Sequence, residues 1–171
     1  MAAAMAGRAG ELAEPRAWLA AVEIAEVGPE GARLAGGHAF SGRAIGRLLA
    51  GCPLAVPFVL TLGPRLEAEA AALADRRALL ESFLLETAGW AAIESALRTL
   101  RADLRARARA RGWRVSPRLG PGLGDWPLAE QRMLLDLVKP AEGQVRLTEH
   151  GVLVPVKSVT GLYGLGPEGR P

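Results

Sequence analysis

The residues best suited to ligand binding stand in a short segment rich in glycine and proline, residues 116–127. Its sequence, SPRLGPGLGDWP, places Arg118 just before three glycines and a proline between positions 120 and 124. A guanidinium forms paired hydrogen bonds with a carboxylate, and glycines let a ligand approach the main chain closely. The segment therefore predicts a shaped loop that holds an anion beside Arg118, with backbone amides exposed next to it.

As a raw pattern the loop is not a known nucleotide signature. It lacks the Gly-Lys-Ser/Thr of a phosphate loop and the spacing of the dinucleotide fingerprint, so a purely structural connector stays open. Elsewhere the chain has one cysteine, Cys52, and two histidines. These are too few to predict a metal site or an internal disulfide, and no nucleophile stands with a base. We expect no catalytic residues and interpret Cys52 as a small buried residue.

The segments before the loop predict strands followed by long helices. Residues 19–36 alternate apolar and polar around the turn Gly28-Pro29-Glu30-Gly31, which predicts a hairpin. Ser41 is predicted to cap a helix to about residue 50. Residues 54–62 read as a buried strand, in which Pro57 indicates an edge or an irregularity.

Residues 66–111 are rich in Ala, Leu, Glu and Arg, which predicts long helices. A break is expected near residues 75–77. Gly89, among small residues, would let another element approach closely, and Gly112 is a natural end for the second helix.

After the loop, Asp125 is predicted to cap, and Pro127 to start, a helix that runs to about residue 138. Residues 145–148 and 152–156 predict a second hairpin around Glu149-His150-Gly151. Strands, a helical block and strands again indicate an α+β fold. We expect a loose N-terminal leader over residues 1–16 and a single domain over residues 17–171.

The composition fits such a domain. The chain has 171 residues, of which 50% are hydrophobic and 23% are charged. No run of about 20 apolar residues is present to cross a bilayer, and the N-terminus lacks the pattern of a secretory signal. We therefore expect a soluble, cytoplasmic protein with no membrane partner.

The loop and the segments after it resemble the activation domain of cobalamin-dependent methionine synthase. That family carries R-x-x-P-G-Y-G-D-x-P-L-x-x-Q, then a helix, L-T-E and S-V-S-G. The matching segments here are RLGPGLGDWPLAEQ at 118–131, LTE at 147–149 and PVKSVTG at 155–161. The resemblance is strong over residues 116–165 and looser upstream, where it depends on Thr61-Leu62-Gly63, Glu67 and residues 88–94. It implies an antiparallel sheet packed with long helices.

The resemblance also implies that the chain binds S-adenosylmethionine. In the family, the arginine of R-x-x-P-G binds the ligand carboxylate, and the main chain after it holds the ligand. The matching residues are Arg118, Gly120, Pro121 and Gly122. A glutamate on the preceding long helix contacts the ligand in the family, and Glu94 is our candidate, with a solvated helix residue as the alternative. Leu123 stands where the family has an aromatic ring.

A partner protein follows from the same resemblance. The family's domain presents S-adenosylmethionine so that reduction and methylation restore the cobalamin of methionine synthase after accidental oxidation. We therefore expect an activation subunit that acts as part of this methyltransferase, with cobalamin carried by a cobalamin-binding partner subunit. The alternative is reactivation of another corrinoid methyltransferase, or a scaffold.

Positive charge is concentrated in residues 98–118, which hold eight arginines against Asp103, while the whole chain has a net charge of +3. One interpretation is a docking surface for an acidic flavodoxin-like electron donor or for the cobalamin subunit. The rival is a small nucleic-acid-binding module. We disfavour the rival because alternate arginines spread around a helix instead of forming one stripe.

Overall fold

The computed structural model describes residues 1–167, which form five α-helices, a short 3-10 helix and nine strands. The α-helices are α1 (Ala2–Leu12), α2 (Arg43–Leu49), α3 (Arg65–Asp75), α4 (Leu79–Arg109) and α5 (Gln131–Val138). The 3-10 helix is Leu128–Glu130. The strands are β1 (Arg16–Leu19), β2 (Val22–Gly28), β3 (Gly31–Leu34), β4 (Ala39–Ser41), β5 (Leu54–Thr61), β6 (Trp113–Val115), β7 (Arg146–Leu147), β8 (Leu153–Val154) and β9 (Ser158–Pro167).

The chain divides into two compact units, each built from separate stretches of sequence. The first unit comprises Met1–Ala17, Leu60–Thr99 and Ala141–Val159. The second unit comprises Trp18–Val59, Leu100–Pro140 and the chain from Thr160 onward. The single domain over residues 17–171 stays a prediction, and residues 168–171 of that range lie outside the described residues.

The first unit is mainly helical. Its core is formed by apolar residues of α1, α3 and α4, namely Ala9, Leu12, Leu66, Ala70 and Leu85. Residues 2–12 therefore differ from the loose leader expected from the sequence. Alanine favours the helix, and burial of Ala9 and Leu12 fixes it against the core.

The predicted break in the helical block is confirmed. Helix α3 ends at Asp75, Arg77 adopts a left-handed conformation with φ of 62°, and α4 begins at Leu79. The Ser82 hydroxyl donates a hydrogen bond of 2.8 Å to the Ala70 carbonyl, which ties the start of α4 to α3.

Gly89 provides the close approach that its small neighbours predict. A Cβ atom at this position would lie 2.8 Å from Leu66 Cδ2 and 2.9 Å from Lys157 Cε. Real Cβ atoms essentially never approach carbon this closely, so a side chain here would force the buried side chains of Leu66 and Lys157 to move.

Most of the seven-stranded antiparallel sheet belongs to the second unit. The strand order is β4-β3-β2-β5-β9-β6, and β1 pairs with β5. The predicted hairpin is confirmed, since β2 and β3 are antiparallel with Gly28 opposite Gly31. The sheet packs on α2 and α5 through a core that includes Phe40, Ile45, Leu49, Trp126, Leu134 and Leu162. The structure is therefore α+β, as the sequence predicts.

Pro57 is not on an edge strand, because β5 lies between β2 and β9. The pairing of β2 with β5 reaches only Leu54 and Ala55. Beyond it, the Ala20 amide donates a hydrogen bond of 3.2 Å to the Pro57 carbonyl. The proline thus stands where the ladder changes partner, so it is tolerated in the interior of the sheet.

Two further predictions on secondary structure are confirmed. After α4, Gly112 has φ of 68° and its amide donates to the Arg109 carbonyl at 3.0 Å, as expected of a residue that ends a helix. Strands β7 and β8 form the second hairpin, with Arg146 opposite Val154.

Replacement of Gly89 by alanine tests the close approach in the first unit. We expect Gly89→Ala to lower the free energy of unfolding by about 1–3 kcal/mol, because the new methyl group overlaps Leu66 and Lys157. The matched control is Gly10→Ala in α1, where no atom lies within 4 Å of the new Cβ. Helix propensity alone should make the control about 0.5–1 kcal/mol more stable. Urea denaturation measures both, and equal stabilisation of the two variants would refute the close approach.

Candidate functional site

The glycine-rich loop starts from a fixed point on β9. Leu119 forms an isolated antiparallel bridge with Leu162, with amide-to-carbonyl distances of 3.1 and 2.8 Å. Just before it, the Ser116 hydroxyl accepts a hydrogen bond of 2.8 Å from the Gly164 amide. The position of Arg118 between these two anchors is therefore set by the sheet.

The other end of the loop is fixed by Trp126. Its ring is 1% exposed and meets the ring of Phe40 edge-on, with 5.5 Å between the centroids. The indole Nε1 donates to Glu130 Oε2 at 2.8 Å, and the same carboxylate accepts hydrogen bonds from the amide and hydroxyl of Ser41. This tryptophan is therefore a core anchor.

Asp125 caps a different helix from the one predicted. Its carboxylate accepts hydrogen bonds from the Arg43 amide at 2.8 Å and the Ala44 amide at 2.9 Å, which are the first amides of α2. The prediction that Ser41 caps α2 is wrong, since the Ser41 hydroxyl donates to Glu130 instead. Pro127 precedes the 3-10 helix, and α5 begins only at Gln131. A side chain distant in sequence supplies the cap, so local spacing could not reveal it.

The loop uses some of its amides within itself. The Gly122 amide donates to the Trp126 carbonyl at 2.9 Å, and the Leu123 amide donates to the Gly120 carbonyl at 3.1 Å. The expectation of exposed backbone amides is therefore wrong for these two positions. Gly122 adopts φ of 83°, a conformation that glycine favours. The loop is rigidly folded, with Gly120 buried and the side chain of Leu123 at its exposed tip.

Arg118 lines a cavity of about 550 Å³ in the second unit. The wall is formed by α2, the segment after it, β6, the start of the loop and β9. Its polar side chains are Arg47, Cys52, Arg114, Ser116 and Arg118. The guanidinium of Arg118 lies 4.0 Å from the position that a Cβ atom at Gly120 would take. The structure thus places Arg118 next to Gly120, two residues that the sequence predicts in one site.

Sequence reasoning missed Arg47 and Arg114 as cavity residues. Arg47 is in the last turn of α2, and Arg114 is on β6. The position of Arg114 just before the loop is a signal that could have identified it, whereas nothing local connects Arg47 with residues 116–120. Three guanidinium groups give this cavity a positive potential that favours an anionic group on a ligand.

Cys52 is half-buried at the wall of the same cavity. Burial raises the pKa of its thiol, and the positive charge of Arg114 acts in the opposite direction. The thiol is therefore neutral near pH 7 and lacks the thiolate character of a nucleophile. Cys52 is thus half-buried and not the fully buried residue expected from the sequence.

The other predicted ligand residue, Glu94, is an exposed residue of α4 in the first unit. Glu149 is also in the first unit, at the turn between β7 and β8, where its side chain is 86% exposed and lies 3.4 Å from His150 Nε2. Pro121 and Gly122 lie with Arg118 in the loop of the second unit.

Lys157 and Ser158 hold the junction before β9 in the first unit. The Ser158 hydroxyl bonds to the Thr61 hydroxyl at 2.8 Å, and the Leu62 amide donates to the Lys157 carbonyl at 2.9 Å. The ammonium of Lys157, a residue that is 1% exposed, pairs with Glu86 and lies 4.5 Å from the ring centroid of Trp90. Glu86 was not predicted, although it lies one helical turn before Trp90 on α4.

Two further searches cover residues 1–167. No group of three or more His, Cys, Asp or Glu side chains in this part of the chain could hold a metal ion. In the same residues, no helix is both long enough and apolar enough to span a membrane.

Comparisons with known proteins identify the fold. The sequence matches no protein-family model and no curated protein. A solved structure described as the MetH reactivation domain bound to AdoHcy matches with a TM-score of 0.74 and 14% sequence identity. The match covers 99% of this chain and 65% of that chain. The chain therefore has the fold of the methionine synthase reactivation domain and spans about two thirds of the matched structure.

Neutralisation of Asp125 tests the link between the loop and α2. Hydrogen bonds from the Ala44 and Arg43 amides lower the pKa of the Asp125 carboxyl from its usual value of 3.8. A lowered pKa stabilises the folded state above pH 3.8 and loses that effect as the pH falls through the folded-state value. Asp125→Asn should therefore melt about 2–4 °C lower at pH 7, and the gap should narrow below pH 3.8.

The matched control for this experiment is Asp136→Asn, at an exposed aspartate of α5 in the same unit. Calorimetric melting between pH 2.5 and pH 7 gives all three curves. Equal melting temperatures of wild type and Asp125→Asn at pH 7, or a difference that grows at acid pH, would contradict the cap.

Proposed function

We propose that this chain binds S-adenosylmethionine at the Arg118 loop and acts as the activation subunit of a cobalamin-dependent methionine synthase. The observation that carries the proposal is the position of Arg118. It lines a cavity of about 550 Å³ beside buried Gly120, in a chain with the fold of a domain solved with AdoHcy.

The residues present fit an amino-acid ligand with an adenosyl group. The carboxylate of such a ligand accepts paired hydrogen bonds from a guanidinium, a geometry that Arg118 supplies. Cavities of about 300–1,000 Å³ suit ligands of this size. Because Gly120 has no side chain, the guanidinium of Arg118 can lie close to the main chain of the loop.

In this function the chain binds and orients S-adenosylmethionine, and its own residues take no part in bond making or breaking. S-adenosylmethionine provides a methyl group for the cobalamin of the partner, whose reduction requires an electron donor. The anchors at Leu119 and Trp126 hold the loop in one shape before the ligand arrives, which reduces the entropy lost on binding. Contact of the Glu94 carboxylate with the ligand stays a prediction from the family resemblance.

The proposed setting is the cytoplasm, with a cobalamin-binding methionine synthase subunit as partner. Reactivation of another corrinoid methyltransferase is the alternative, since the same ligand could serve any methyl-accepting corrinoid. A scaffold that has lost ligand binding is the remaining possibility, and the experiment below separates it from the other two.

The first experiment is calorimetric titration of S-adenosylmethionine and S-adenosylhomocysteine into the purified chain, alone and with the cobalamin-binding subunit. We expect saturable binding that Arg118→Ala weakens by about 10- to 100-fold, as loss of a charge-assisted hydrogen bond predicts. The matched control is Arg132→Ala, at an exposed arginine of α5 in the same unit, which should bind like wild type.

Two results would count against this proposal. Absence of binding for both ligands, even with a partner that demonstrably associates, would leave the fold without the activity and favour a scaffold. Equal losses in Arg118→Ala and Arg132→Ala would show that binding does not depend on the loop.

A groove at the arginine-rich end of α4 supports docking of an acidic partner. The groove has a volume of about 600 Å³ and belongs to the second unit. Leu104 and Trp113 give it an apolar floor, and Arg107 and Arg111 line it as well. Arg107 pairs with Asp103 at 2.9 Å and is 77% exposed. Apolar surface next to exposed guanidinium groups suits an acidic protein such as a flavodoxin-like electron donor or the cobalamin subunit.

Neutralisation of this surface tests the docking proposal. The variant Arg107→Gln/Arg109→Gln/Arg111→Gln should reduce the rate of reactivation at low salt by about tenfold or more, because electrostatic steering is lost, and have less effect at high salt. The matched control replaces Arg33, Arg132 and Arg146 by glutamine. An unchanged rate in the first variant would refute the docking surface, and salt-steep binding of arbitrary oligonucleotides would favour the nucleic-acid module instead.

A further inference from the structure

The first half of α4 exposes a stripe of large apolar side chains, here called the α4 stripe. Its members are Leu79, Leu80, Phe83 and Trp90, which are 67%, 56%, 66% and 51% exposed. Three of them, at positions 79, 83 and 90, fall within about 40° of one another around the helix, since successive residues turn by about 100°. Leu85, which lies about 140° from the centre of the stripe around the helix, is buried on the opposite face. The stripe is thus a second apolar face of the same helix.

The far end of the α4 stripe is held in place from below. The Trp90 ring lies over the ammonium of Lys157, 4.5 Å from the ring centroid, and that ammonium is also paired with Glu86. Since Lys157 is itself 1% exposed, one face of the ring is covered by the ammonium while the residue as a whole stays half exposed. Exposed tryptophan is the kind of residue that dominates protein interfaces.

The area of the α4 stripe is large for a surface feature. Its four side chains expose roughly 500 Å² in total, which is near the upper limit of the apolar patches found on monomers. Two such stripes in contact would bury roughly 1,000 Å², the size at which specific protein interfaces begin. An interface between two stripes would thus be just large enough to hold two copies together.

The order of the residues along the stripe makes it complementary to itself. A two-fold axis between residues 84 and 85 places Leu79 of one copy opposite Trp90 of the other. It sets Phe83 of each copy beside Glu86 of the other, with the two Phe83 positions about 4–5 Å apart along the helix. The stripe runs over 12 residues, about 16 Å of helix, so one antiparallel contact covers all of it. We infer that the α4 stripe is the interface of a homodimer in which two α4 helices pack antiparallel.

This inference uses none of the residues of the Arg118 cavity. The stripe belongs to the first unit, whereas Arg118 and its cavity belong to the second. A dimer can therefore form whether or not S-adenosylmethionine binds, and failure of one proposal leaves the other standing.

Sedimentation velocity over a concentration series tests the dimer. We expect the wild-type chain to pass from monomer to dimer in the micromolar range, as is typical of interfaces of about 1,000 Å². Phe83→Glu should weaken the dimer at least tenfold, because it places two carboxylates near the axis, each beside Glu86 of the other copy. The matched control is Leu128→Glu, at a leucine of the second unit that is also 51% exposed, and it should dimerise like wild type. Circular dichroism and melting confirm that each variant is folded.

A mixing experiment tests the antiparallel pairing itself. In Leu79→Lys homodimers each lysine faces Trp90, and in Trp90→Glu homodimers each glutamate faces Leu79, so both variants should dimerise poorly. An equimolar mixture forms one native Leu79–Trp90 contact and one Lys–Glu pair. The mixture should therefore associate at least threefold more tightly than either variant alone.

Three results would overturn the inference. The wild-type chain could stay monomeric up to about 1 mM. Phe83→Glu could dimerise as well as wild type, which would place the interface elsewhere. Association of the stripe only with the cobalamin-binding subunit, and not with itself, would assign it to that partner.

Discussion

Burial of the single indole of Trp126 organises the second unit. The ring must leave water to pack on Phe40, and its Nε1 must still find an acceptor, which Glu130 provides. The carboxylate of Glu130 in turn holds Ser41. These contacts place Asp125, the residue before the tryptophan, where its carboxylate accepts hydrogen bonds from the first amides of α2. One buried side chain thus connects the loop, the end of β4 and the start of α2. These contacts fix the backbone of the loop at its C-terminal end.

Local patterns in the sequence predict most of the elements. The hairpin at Gly28–Gly31, the break at Arg77 and the end of α4 at Gly112 all depend on neighbours within a few residues, and all are confirmed. Arg118 and Gly120 could be predicted as a pair for the same reason. What the sequence could not predict are contacts made over long separations, such as the cap on α2 from Asp125, about 80 residues away. Arg47 reaches the Arg118 cavity through the fold of the sheet, which no local spacing encodes.

Burial of Lys157 is another feature that depends on residues distant in sequence and could not be predicted. Lysine is almost never fully buried unless it is paired. A Lys-Ser pair at the start of a strand therefore predicts an exposed ammonium, and nothing near it in the sequence indicates burial. Its partner, Glu86, is 71 residues earlier on α4, and Gly89 leaves room for the lysine stem to pass the helix. Burial of Lys157, its ion pair with Glu86 and the absence of a side chain at Gly89 depend on one another. None of the three can be predicted from the sequence without the other two.

The structural contacts of the glycine loop are concentrated at its two ends. Leu119 and Trp126 carry the structural contacts, while Leu123 at the tip is 51% exposed and packs into no core. Substitution at position 123 should therefore change the free energy of unfolding less than substitution at a buried position. Natural selection or a laboratory library can therefore vary position 123 while the fold beneath it stays unchanged.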